Sequence, residues 1–102
     1  MHNSFFTSME AAERWAYIND DSPERPGAIE TYTSHYGIEN RGNEYLAYLL
    51  AAGNFDSMCH DDRNTPMTYA AVLIDHCMDW GLGSHVARTA INMFRTMIKE
   101  NR

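Results

Sequence analysis

The sequence predicts an all-α protein: a compact bundle of four to five helices in a single domain. Three observations lead there. Apolar residues recur at helical spacing in separate stretches of the chain. Gly, Pro and capping residues punctuate the chain between those stretches. No segment shows the sustained apolar/polar alternation of a half-buried strand.

The first helix is predicted to open at Thr7. "TSME" has the form of a capping box, in which Glu10 reaches back to the Thr7 amide, and Phe6 and Ala11 stand at hydrophobic-staple spacing. Ala11, Ala12, Trp15, Ala16 and Ile18 continue as an apolar stripe until "NDDSPERPG" makes a turn-rich connection. "AIETYTSHYG" reads as a second helix closed by Gly37, although its Thr and Tyr residues would suit a strand equally. "NEYLAYLLAAG" is a third helix, with Asn43 as its cap and Gly53 in the left-handed position beyond its end. Tyr45, Leu46, Tyr48, Leu49, Leu50 and Ala52 give it a broad apolar face.

In "TPMTYAAVLIDHCMDWG" Thr65 caps a fourth helix and Pro66 takes the first helical position, where its missing N–H costs nothing. Gly81 or Gly83 ends it. Its polar stripe is only Thr68, Asp75 and Asp79, so this helix is either central in the fold or covered by a partner, a second copy of the chain included. "SHVARTAINMFRTMIKENR" is the last helix, capped by Ser84. Val86, Ala87, Ala90, Ile91, Phe94, Met97 and Ile98 form its buried side, and His85, Arg88, Thr89, Asn92, Arg95 and Lys99 its outer side.

A chain of 102 residues, 44% of them apolar, has material for one small core. The net charge of −6 is unevenly placed. Residues 1–83 carry 13 acidic and 4 basic side chains, whereas residues 84–102 carry Arg88, Arg95, Lys99 and Arg102 against Glu100. So acidic a body disfavours broad nucleic-acid binding, which needs many Lys and Arg. "MHNSFFTSME" has no basic start and no long apolar stretch, and no run approaches the roughly 18–20 apolar residues of a membrane helix. The expectation is a soluble, cytoplasmic protein whose two cysteines stay reduced.

"SMCHDDRNTP" and "DHCMD" concentrate the reactive residue types. Cys59, His60, His76 and Cys77 are numerically enough for zinc. Each pair is adjacent, however, and adjacent residues on a helix point about 100° apart, so neither pair readily converges on one ion. Cys77 shares a face with Ala70, Ile74 and Met78 and reads as a buried, inert thiol. Asp61, Asp62 and Asn64 precede a helix cap, where such residues serve local hydrogen bonding. His76 reads as a helix histidine with a partner beneath it, with a pH-sensing role as the lesser alternative. No nucleophile elbow, phosphate loop, HExxH or CxxC is present. No metal, no cofactor and no enzymatic activity are expected.

Two functions from different classes remain. Helix, Gly-containing turn and Ser-opened helix is the outline of a helix-turn-helix, in which Ser84, His85, Arg88, Thr89 and Asn92 would face bases and Arg95 a phosphate. The acidic body opposes this, as do Asp75 and Asp79 on the preceding helix. The preferred expectation is a small, acidic, protein-binding regulator or inhibitor, rich in the Tyr, Trp, Met and Arg found at interface centres. Its candidate contacts are Asp20, Asp21, Glu24, Asp56, Asp61 and Asp62 in the connections, with Asp75 and Asp79 on the fourth helix. Such carboxylates suit a partner with a basic, nucleic-acid-binding surface. In composition the chain is analogous to the small acidic inhibitors that phages and mobile elements direct at host nucleic-acid-processing or defence enzymes.

Overall fold

The computed structural model describes residues 9–63 and 65–101, with side chains from Arg14 onward. The Thr7 capping box, the Phe6–Ala11 staple and Asn64 lie outside the described residues. Five helices form in chain order: α1 (Met9–Asn19), α2 (Ala28–Tyr36), α3 (Asn43–Cys59), α4 (Pro66–Trp80) and α5 (Ser84–Glu100). The all-α expectation holds, and among the described residues there is no strand. The radius of gyration is 13.4 Å, close to the roughly 13 Å of a compact chain of 100 residues. Among the described residues no helix is long and apolar enough to cross a membrane.

The most extensive helix pair is α3 with α5. Ala47 and Ala51 of α3 and Ala87 and Ala90 of α5 are almost wholly buried. Side chains this small let two helix axes approach closely. Around them Leu46, Leu73, Ile74, Val86, Ile91 and Phe94 complete the core, and Leu82 caps it from the α4–α5 turn. α4 is a core helix: Ala71, Leu73, Ile74 and Cys77 are buried, and it packs against α1, α3 and α5. Only Val72, about half exposed, remains as a large apolar residue on its outer side.

Several boundaries differ from the sequence expectation. The segment that suited helix or strand is helical. Glu24 accepts from the Ile29 amide at 3.1 Å, Thr33 bonds back to the Ile29 carbonyl at 2.8 Å, and Tyr32 is buried against α4. Tertiary packing thus uses the aromatic residue that sheet propensity would have claimed. Gly53 does not end α3, which continues to Cys59. Phe55 and Met58 extend the phase of Ala51 by four and seven residues and pack against the core, so burial outweighs the roughly 1 kcal/mol cost of a helical glycine.

Neither Asn43 nor Ser84 is a cap. Gly42 and Gly83 precede α3 and α5 instead, and neither helix start has a side-chain capping bond. Thr65 does cap α4, accepting from the Thr68 amide at 3.3 Å, and left-handed Gly81 closes it. On α1 the side facing the core is Arg14, Tyr17 and Ile18, whereas Trp15 and Ala16 are exposed.

Candidate interaction faces

The two ends of α5 meet different surroundings. At its start, the α1–α2 connection folds over the α4–α5 corner. The Arg25 amide donates to the Gly81 carbonyl at 2.8 Å, and the Ser84 amide and hydroxyl donate to the Ser22 carbonyl at 3.0 and 3.2 Å. The Tyr17 hydroxyl bridges the corner, accepting from the Gly83 amide at 2.7 Å and donating to the Cys77 carbonyl at 3.3 Å. Arg88 Nε donates to the Ile18 carbonyl at 2.8 Å, and its Nη2 stands 3.8 Å from Asp21. Of the residues a recognition helix would present, Ser84 is buried, Arg88 and Thr89 are half-buried, and His85, Asn92 and Arg95 are exposed.

This approach explains both corner glycines. Gly83 has φ +92°, and a Cβ there would stand 3.0 Å from the Glu24 amide nitrogen. At Gly81, with φ +68°, a Cβ would come within 2.8 Å of the Arg25 side chain.

Six of the eight candidate carboxylates fall into two groups at the ends of α4, a helix roughly 22 Å long. Asp20, Asp21 and Glu24 lie by the corner at its C-terminal end, as does Asp79. Asp61 is at the opposite end, beside Tyr69, in the connection that also holds Asp62. Three of the eight already serve the fold. Glu24 holds the start of α2. Asp61 accepts from the Tyr69 hydroxyl and from the Arg63 amide. Asp75 takes a two-bond fork from Arg14, at 2.9 and 2.8 Å, that ties α1 to α4. The side chains of Asp20, Asp21, Asp56, Asp62 and Asp79 are exposed.

The cysteine and histidine pairs do not meet. Cys59 and His60 are exposed at the end of α3, whereas Cys77 is buried in the core. Both thiols are free, and burial pushes that of Cys77 up to about 12. Among the described residues no group of three or more His, Cys, Asp or Glu is placed to hold a metal.

His76 packs instead in an aromatic cluster between α2 and α4. Its Nε2 is 2.7 Å from the Tyr32 hydroxyl. Burial holds the imidazole below its usual pKa, partly offset by Asp79, and burial raises the Tyr32 phenol. Both shifts favour a hydroxyl donating to a neutral imidazole. The Tyr32 ring meets Trp80 edge-on at 5.1 Å, Tyr36 lies 4.7 Å from Tyr32, and His35 lies 5.1 Å from Trp80. The expected partner beneath His76 is therefore Tyr32. Neighbouring rings satisfy much of this face internally.

The face that sequence reasoning missed lies between α3 and the second half of α5. Tyr48, Ala52, Phe55, Met93 and Met97 line an open groove of about 680 Å³. Tyr48 is about half exposed, and the other four are half-buried. Among the described residues, Asp56 and Glu100 supply the only ionised side chains of the lining, and the exposed Cys59 thiol belongs to it too. This apolar surface comes from α3 and α5 together, whereas the sequence drew attention to α4, which it left as either central or covered by a partner and which is a core helix. Apolar residues run nearly all round α3 from Tyr45 to Phe55, a signal that ending the helix at Gly53 concealed.

No protein-family model, no curated protein and no solved structure matches this chain.

Proposed function

We propose that this chain is a non-enzymatic protein-binding module, a regulator or inhibitor acting by direct contact with another protein. One observation carries the reading: the groove in which Tyr48, Phe55, Met93 and Met97 present apolar surface to water. A small domain gains stability by covering such side chains, and contiguous exposed apolar surface rimmed by polar groups marks interaction sites. Aromatic residues and Met are enriched at interface centres, and thioethers adapt to the shape they meet. Exposed Asp20, Asp21, Asp56 and Asp62 would steer a basic partner surface, such as that of a nucleic-acid-processing or defence enzyme. A second copy of the chain is the homodimeric version of the same reading.

A helix-turn-helix DNA-binding regulator is the second reading. It is favoured by the α4–Gly–α5 corner and by exposed His85, Asn92 and Arg95. It is opposed by Ser84 and Arg88, whose polar groups are engaged within the fold.

A tagged pull-down from host lysate, with and without nuclease, separates the two. A discrete protein retained after nuclease treatment is the expected result. Nucleic acid retained, with co-purifying proteins lost on digestion, would overturn it. His85→Ala with Arg95→Glu, both at exposed positions, should leave capture of a protein partner intact, whereas a DNA-binding role would be lost.

A further inference from the structure

We infer that the α3–α5 groove receives an amphipathic helix whose apolar side carries Leu, Phe or Met and whose flanks carry Lys or Arg. This rests on the protein-binding reading and specifies the partner's chemistry. Three features of the groove select that occupant.

The first is the lining. Tyr48, Phe55, Met93 and Met97 offer apolar surface, and among the described residues side-chain amide and hydroxyl groups come only from Asn92, Thr96 and Tyr48 itself. An extended peptide would bring unpaired backbone N–H and C=O groups into this surface, each costly to bury. A helix satisfies its own backbone and presents only side chains, the mode in which amphipathic helices occupy apolar grooves. The described fold contains no strand, so no sheet edge is offered to an extended segment.

The second is charge. Asp56 and Glu100 are carboxylates, and among the described residues no Lys or Arg lines the groove. The exposed cations of α5, Arg95 and Lys99, lie outside that lining, about 60° and 20° round the helix from Asn92 at the groove's edge. The Asp61–Asp62 connection follows directly from the α3 end of the groove. An acidic segment would meet like charge here, whereas a basic one is attracted.

The third is size. At about 680 Å³ the groove has room for more than one apolar side chain. It can therefore accept several successive apolar side chains of a helix.

Cys59 supplies an internal reporter. It lies in the groove and is exposed, whereas Cys77 is buried, so alkylation of the folded chain reads Cys59 alone. The probe is a synthetic peptide of about 18 residues, roughly 27 Å as a helix, with Leu at helical spacing and Lys opposite. A twin carries Glu in place of Lys. The full chain is titrated with each, followed by anisotropy of the labelled peptide and by the rate of Cys59 alkylation.

The Lys peptide should bind, weaken as salt rises, and slow Cys59 alkylation severalfold at saturation. The Glu twin should bind at least about tenfold more weakly. Tyr48→Glu, at a half-exposed position, should lose about tenfold or more while keeping its far-UV circular dichroism. Asp56→Lys with Glu100→Lys, both at exposed positions, should favour the Glu twin. Equal affinity for the two peptides, an unchanged Kd in Tyr48→Glu, or unprotected Cys59 would overturn the inference. A native partner captured equally by wild-type and Tyr48→Glu chains would also overturn it and leave the module reading standing. If no native protein is captured while the Lys peptide binds as described, the groove's preference is upheld and the module reading falls.

Discussion

The two halves of α5 make an instructive contrast. Both carry residue types that commonly contact partners. In the first half, Ser84 and Arg88 spend their hydrogen-bonding groups on the carbonyls of Ser22 and Ile18, and the Gly83 backbone lies against Glu24. In the second half, Met93 and Met97 border an open groove. Side-chain identity on one helix therefore does not decide availability. What packs against each half does, and here a connection about sixty residues upstream covers one half and leaves the other open.

The largest expected disturbance removes the core that both halves share. Phe94→Ala should cost about 3–5 kcal/mol, because the ring is fully buried and its removal leaves a cavity. Urea denaturation checks this, and a loss below about 1 kcal/mol would contradict the packing described here.

Next comes the closed half alone. Gly83→Ala should destabilise by about 1–3 kcal/mol, since its backbone conformation (φ +92°, ψ 153°) is nearly exclusive to glycine and the new Cβ meets Glu24 backbone. A urea midpoint equal to wild type would show that residues 22–25 do not lie over the corner.

A finer comparison uses one residue type twice. Arg88→Ala should cost about 1–2 kcal/mol through the lost bond to Ile18, whereas exposed Arg95→Ala should stay within about 0.5 kcal/mol. Equal losses in thermal melts would erase the distinction between bound and free arginines on α5.

The smallest effect concerns pH. Folding lowers the pKa of His76 below its usual 6.5, so the unfolded chain takes up this proton more readily than the folded one. This contribution to stability is complete above about pH 6.5 and is lost as pH falls through the folded-state value. His76→Gln should flatten that part of the stability–pH curve, and an unchanged slope would assign the acid sensitivity to other groups.

Much of this was legible in the sequence. Helical periodicity located four of the helices and left residues 28–37 open between helix and strand. Thr65 and Pro66 marked the start of α4, and Gly81 was one of the two glycines offered for its end, because capping and left-handed closure are local events, complete within a few residues. The inert Cys77 was readable from its place among apolar neighbours at helical spacing. Gly53 and Ser84 misled for the opposite reason. Each has a local preference that a distant contact overrides, Phe55 and Met58 packing on the core in one case and the Ser22 carbonyl in the other. Leu49 belongs with them. The sequence placed it on an apolar face, yet the structure leaves it half-buried beside Val72 and His76, so Leu49→Ala should cost less than the roughly 2–5 kcal/mol of a core position such as Ile74.

By itself, then, the sequence determined the fold class, four of the five helices and the acidic character of the body, because these follow from spacing and composition. Only the tertiary structure decided which polar side chains are engaged and where apolar surface remains in water. Arg14 and Asp75, 61 positions apart, form a fork that no local pattern announces. The groove likewise exists only once α3 and α5 are side by side. Availability is a property of pairs of helices, and pairs are fixed by packing.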